Sequence, residues 1–195
     1  MKKCFYLLSV CVIFAATVQA QVDKKYLSGA VPEVNGKVVF SKLFELPGVQ
    51  QPEVYKRALA WAEANYDKKG NRQLLYAGEE DFIISCRGND EIIFHSRAFS
   101  LDKTDILYQL NIYSKDDSCQ VEIKSIHYKY PGAAPDEFDV YKAETWITDK
   151  EAIRKKTKLY KINGKFRIKT IDLVEDIFNS LGKALQPVAS STPTL

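Results

Sequence analysis

A chain of 195 residues that is 46% hydrophobic and 27% charged is large enough to bury a real core and too apolar to be disordered throughout. Its 28 basic and 25 acidic residues leave a net charge of +3, which excludes whole-molecule attraction to nucleic acid or membranes as the organising force. The 2 histidines and 4 cysteines are scattered, which leaves little for a metal site of ordinary ligand spacing.

The first 20 residues have the form of a secretory signal peptide. Lys2 and Lys3 are a short basic region, Phe5 to Ala16 an apolar core, and Val18-Gln19-Ala20 a small-residue cleavage site. A membrane anchor needs about 20 apolar residues, and this run is shorter. Lipidation at Cys11 fits poorly, because Val10 precedes it and the apolar run continues beyond it. Cleavage between Ala20 and Gln21 yields an exported, periplasmic or envelope-associated protein. Losing Lys2 and Lys3 leaves 26 basic against 25 acidic residues, so the mature chain is nearly neutral.

Residues 21–35 read as an extended arm, and 36–185 as one α+β domain. Val38 to Leu46 makes a first strand that stops at Pro47-Gly48. A helix follows over 51–66, with Pro52 in its first turn and Val54, Ala58, Trp61, Ala62 and Asn65 on one face. Three short strands come next, Arg72–Ala77, Asp81–Arg87 and Glu91–Arg97, with turns at Gly78-Glu79-Glu80 and Gly88-Asn89-Asp90. Thr104 to Tyr130 is the organising hairpin. Ile106, Tyr108, Leu110 and Ile112 alternate with polar residues, and Lys115 to Ser118 supplies the turn. On the return strand Val121 and Ile123 share one parity while Ile126, Tyr128 and Tyr130 take the other, which predicts a β-bulge near Lys124–Ser125.

Pro131 to Asp139 is a loop, and Tyr141 to Ile147 reads equally as a strand, an edge segment or part of that loop. Thr148-Asp149-Lys150-Glu151 has the form of a capping box opening a short helix through about Lys156. Asn163-Gly164 reads as a turn. Thr170 or Asp172 would cap a last helix striped with Val174, Ile177, Phe178, Leu181 and Leu185. Residues 186–195 should be a disordered tail. The expected architecture is a curved antiparallel sheet of about six strands in β-α-β5-α order, with two helices across one face. In a simple meander Cys86 and Cys119 would lie three strands apart, roughly 14 Å at about 4.8 Å per strand, too far for a disulfide.

The segments GAVPEVNGKVVFSKLFELPG (Gly29 to Gly48) and WITDKEAIRKKTKLYKINGKFRIKTIDLVEDIF (Trp146 to Phe178) resemble an exported Bacteroidetes family, the domain of unknown function 4468 with a TBP-like fold. The resemblance covers nearly the whole mature chain. It implies a curved antiparallel sheet gripped by helices and a cell-envelope location. It brings no established activity, cofactor or catalytic residue, and the fold's name does not carry DNA binding with it.

Chemistry-bearing motifs are sparse. His95 and His127 lie on separate strands, and no nucleophile elbow, phosphate loop or dinucleotide fingerprint occurs. Asp136, Glu137 and Asp139 sit together in a Pro/Gly/Ala-rich loop, where acids are usually solvated. One local asymmetry remains: Arg154, Lys155, Lys156, Lys158, Lys161, Lys165, Arg167 and Lys169 occur without an acid among them, interleaved with Tyr160 and Phe166. The leading expectation is a non-catalytic binding module with no cofactor, whose surface at Arg154, Lys155, Lys156, Lys158, Lys161, Lys165 and Arg167 meets an envelope protein, anionic glycan or lipid headgroup. A second is a carrier of a small apolar ligand between sheet and helices, walled by Trp61, Tyr128 and Phe178. A third is an enzyme using His127 or the acidic loop.

Overall fold

The computed structural model describes residues 22–66, 71–97, 100–132, 134 and 137–186, without the side chains of 95–97 and 100. The expected signal segment with its Ala20–Gln21 junction, Asp136, the His95 side chain and residues 187–195 of the expected tail lie outside the described residues.

After a single 3-10 turn, Lys24–Tyr26, a small hairpin forms from β1 (Glu33–Val34) and β2 (Lys37–Val38). Then come β3 (Phe40–Glu45), α1 (Gln51–Tyr66), β4 (Gln73–Gly78), β5 (Ile83–Arg97), β6 (Ser100–Lys115), β7 (Ser118–Pro131) and β8 (Phe138–Lys142). The chain closes with α2 (Asp149–Ala152), a second small hairpin of β9 (Ile153–Arg154) and β10 (Lys158–Leu159), and the long α3 (Lys161–Leu185). The main sheet is antiparallel in the order β3-β7-β6-β5-β4, with β8 also pairing β7. Helices α1 and α3 cover one face, where Ile84, Cys86, Ile106, Leu110, Ile112, Val121, Ile123 and Tyr128 meet Val54, Ala58, Trp61, Phe166, Val174 and Leu181 in one core.

The α1 range matches its expected bounds, and the central hairpin, expected over 104–130, runs over Ser100–Pro131 with its turn where expected. The bulge is present as well. Leu107 pairs with His127 and Gln109 with Lys124, so Ser125 and Ile126 together face Tyr108. Ser125 takes the left-handed conformation, φ 56°, which absorbs the extra residue and returns Ile126 and Tyr128 to the core.

Two expected turns are not turns. Gly88, Asn89 and Asp90 pair straight through with Tyr108, Leu107 and Ile106, so β5 is one strand of 15 residues. Gly88 serves close approach: a Cβ there would sit 2.0 Å from Cζ of Tyr108. Asn163-Gly164 lies inside α3, where Leu159 packs over Gly164 so closely that a Cβ would meet it at 2.6 Å. Local turn chemistry yields here to side chains that need room. With β5 continuous, the unpaired Cys86 and Cys119 stand on either side of β6, two strands apart rather than three, and burial pushes both thiols up to about 12.

The capping box also fails to form. The Thr148 hydroxyl donates back to the Glu144 carbonyl at 3.4 Å and gives no side-chain cap to α2, which ends after four residues. The arm is not free. Lys25 Nζ lies 2.9 Å from Asp172 and 2.8 Å from Glu175, the Tyr26 hydroxyl donates to Asp172 at 2.8 Å, and Val31 is buried. Of the readings left open for Tyr141 to Ile147, the structure takes an edge strand, β8, followed by a 3-10 turn at Ala143–Thr145.

Candidate functional site

The basic run divides into two kinds of residue. Arg167 is 0% exposed and cannot meet a partner. Its Nε donates to the Tyr26 carbonyl, Nη1 to that of Ile147, and Nη2 to that of Leu27 and to Asp149 Oδ1, each at 2.7 Å. It clasps the arm, the α2 region and α3 together. Burial alone would raise the Asp149 carboxyl; hydrogen bonds from Ser28, the Gly29 N–H and Arg167 outweigh it and hold the group below the usual carboxylate range. Lys165 is also structural. Its Nζ bonds Asp102 at 2.6 Å and lies 4.3 Å from the Phe94 ring centroid. Spacing on paper put both in the surface set; their partners, far away in sequence, take them out of it.

Arg154, Lys155, Lys156, Lys158 and Lys161 remain exposed, and none makes an ion pair among the described residues. Arg154, Lys155 and Lys156, expected at the end of a short helix, lie with Lys158 on the β9–β10 hairpin, and Lys161 is the first residue of α3. Lys155 and Lys156 form the tip with φ of 54° and 60°, a conformation that non-glycine residues rarely adopt. Tyr160 and Ile162 beside them are 46% and 58% exposed.

Trp61, Tyr128 and Phe178 are core side chains. Trp61 Nε1 donates to Ser180 Oγ at 2.9 Å, and the Tyr128 hydroxyl is 2.7 Å from Thr170 Oγ1. Tyr128 and Phe166 rings meet edge to face at 5.0 Å. The space that the carrier reading requires at these three residues is filled. In the acidic loop, Glu137 accepts from the Ala134 N–H at 3.1 Å and Asp139 from the Tyr141 hydroxyl at 3.1 Å, so both carboxylates serve the local chain. Among the described residues no group of three His, Cys, Asp or Glu side chains is placed to hold a metal ion.

The sheet face away from the helices carries a feature that sequence spacing did not point to. β7 pairs β3 over Ser118–Ile123 and β8 over His127–Pro131, both on the same side. Between those partners, at the bulge, a depression of about 370 Å³ opens, lined by Val34, Lys37, Val39, Lys124, Lys142 and Glu144 together with Asn35, Ser125 and His127. A second, of about 320 Å³, shares Ser125 and His127 and runs toward Arg87 and Gln109. His127 Nδ1 lies 2.8 Å from the Ser125 carbonyl; a carbonyl only accepts, so Nδ1 carries the hydrogen and Nε2 is left for another partner. The parity slip at Lys124–Ser125 was the one sequence signal, since bulges gather near functional surfaces.

A six-stranded antiparallel sheet backed on one face by helices is the TBP-like arrangement. The sequence profile of the domain of unknown function (DUF4468) with TBP-like fold matches residues 40–129. A crystal structure of a DUF4468 family protein from Bacteroides ovatus is 38% identical, with a TM-score of 0.77 over 85% of this chain and 96% of that one. A TBP-like protein from Parabacteroides distasonis is 26% identical, with a TM-score of 0.69 over 81% of this chain and 98% of that one. The chain belongs to the DUF4468 family. No curated protein matches it.

Proposed function

We propose that this is an exported, non-catalytic binding module whose β9–β10 hairpin holds it to an anionic surface of the cell envelope. The observation that carries the reading is the set of exposed, unpaired cations at Arg154, Lys155, Lys156, Lys158 and Lys161. Their placement works against stability. Lys155 and Lys156 occupy left-handed positions at a cost of about 1 kcal/mol or more each, and Lys161 opens a helix whose N-terminus favours acids. Local rules broken without a structural gain mark function more often than accident. Exposed Ile162 and Tyr160 favour lipid headgroups over a soluble polyanion, because apolar side chains beside cations gain by entering an interface. Each lysine or arginine near an anionic membrane contributes about 1 kcal/mol.

Co-sedimentation with phosphatidylglycerol-containing vesicles tests the reading. The expected result is binding at low salt, loss at high salt, and loss in Lys155→Glu/Lys156→Glu/Lys158→Glu with an unchanged melting temperature. Equal retention on neutral phosphatidylcholine vesicles, or no effect of charge reversal, refutes it; preferential capture by an acidic polysaccharide would transfer the site to a glycan. Export is tested by fractionating the native host and sequencing the mature N-terminus, expected at Gln21. Among the described residues no helix is long and apolar enough to cross a membrane.

A further inference from the structure

The depression at the bulge is a second surface, on the sheet's uncovered face and built from different residues than the hairpin. Its rim carries three lysines, Lys37, Lys124 and Lys142, arriving from β2, β7 and β8. Lys37 and Lys142 make no ion pair among the described residues, and Lys124 lies 3.6 Å from Glu122 and 3.1 Å from the Asn111 amide. Three lysines against the single carboxylate of Glu144 leave this concavity with an excess of positive charge that an anion would complement. The same walls hold neutral and acidic hydrogen-bonding groups. His127 presents Nε2, Ser125 its hydroxyl, and Glu144 a carboxylate that accepts the Val38 N–H at 3.1 Å through one oxygen and keeps the other free of that bond. Val34 and Val39 supply an apolar patch between them.

We propose that this depression binds a small polyhydroxylated anion of the sugar-acid or sugar-phosphate class. The anionic group meets the lysines, the hydroxyls donate to Glu144 and His127 Nε2, and the C–H face of the ring lies on Val34 and Val39. A bare anion would leave the acceptors and the valines unused, and a neutral sugar would leave the lysines unpaired. A volume of about 370 Å³ stands at the small end of ligand sites, which suits a monosaccharide-sized molecule. The site forms where β7 exchanges β3 for β8, beside the extra residue at Ser125 in the β6–β7 ladder.

The test is isothermal titration calorimetry of the purified full chain with four probes: glucuronate, glucose 6-phosphate, glucose and inorganic phosphate. The expected result is saturable binding of glucuronate or glucose 6-phosphate, at least tenfold tighter than glucose and than inorganic phosphate. Which of the two binds better separates a carboxylate from a phosphate source. Lys142→Ala and Lys37→Ala should each weaken binding by fivefold or more with an unchanged melting temperature, since both side chains are exposed. Glu144→Gln should weaken it while leaving inorganic phosphate unaffected. Lys155→Glu/Lys156→Glu/Lys158→Glu should bind the probe normally, so failure of the hairpin reading and failure of this one are distinguishable. Inorganic phosphate binding as tightly as the sugar anion, indifference to Lys142→Ala, or no heat with any probe at millimolar concentrations overturns the proposal.

Discussion

Replacing Arg167 with methionine removes the group that joins three segments of the chain. The guanidinium makes four hydrogen bonds of 2.7 Å, three to carbonyls and one to Asp149, and two of those carbonyls lie 141 and 140 residues away. Methionine fills most of the volume, so the loss is chiefly of polar partners. Each hydrogen bond to a charged group is worth about 1.5–3 kcal/mol, and they are not additive. Removing the arginine leaves buried carbonyls without their donor at about 1–3 kcal/mol each, whereas the Asp149 carboxylate, 36% exposed and still bonded by Ser28 and the Gly29 N–H, loses less. We expect Arg167→Met to lose about 4 kcal/mol in urea unfolding, a fall in melting temperature of roughly 10 °C for a domain of this size. Arg167→Lys keeps the charge, but a single ammonium lacks the fork that spans three carbonyls, so it should recover less than half the loss. Hydrogen exchange gives the local readout: amides of residues 24–31 should lose protection in Arg167→Met well before those of β6. A loss below about 1 kcal/mol with arm protection intact would refute the claim that this arginine is a structural clasp.

Acid should loosen the same clasp. The folded Asp149 carboxyl is held below its ordinary value, so its contribution is fully present above the unfolded value of about 4 and disappears as pH falls through the folded one. Asp149→Asn should therefore flatten the decline in stability below about pH 4, measured by urea midpoints across that range, while lowering stability at neutral pH. Gly88→Ala should destabilise by about 1–3 kcal/mol, since its Cβ would stand 2.0 Å from the Tyr108 ring, which is itself held by Tyr66 and Asp90 at 3.0 and 2.8 Å; the double variant Gly88→Ala/Tyr108→Phe should cost less than the sum if the contact is the cause.

What the sequence made legible is what neighbours along the chain decide. Helix α1 follows from an apolar period of 3.6 and a proline in the first turn, and the bulge from a change of parity between Ile123 and Ile126. What it hid depends on residues distant in sequence. Gly88-Asn89-Asp90 has the composition of a turn, but the Tyr108 ring needs the space above Gly88, and Asp90 is claimed by Arg72 at 2.7 Å. Asn163-Gly164 likewise has turn chemistry, yet Leu159 closes over the glycine and the helix starts at Lys161. Arg167 reads as one cation among eight until Tyr26, Leu27 and Ile147 surround it. The depression at the bulge is lined by β2, β7, β8 and the turn after it, and no single stretch of sequence contains it.

The clasp also has a consequence for the order in which the chain can fold. β5, β6 and β7 are joined by short connections, and loop closure between near neighbours is fast. Their apolar face, however, is covered by both α1 and α3, and α3 is the last element of the chain to be made. The arm at residues 24–31 is synthesised early, yet its anchor at residue 167 comes late. Until α3 is made, the completed meander has only α1 across its apolar face, and a chaperone that holds the chain until then would keep the remaining strip from pairing with other molecules.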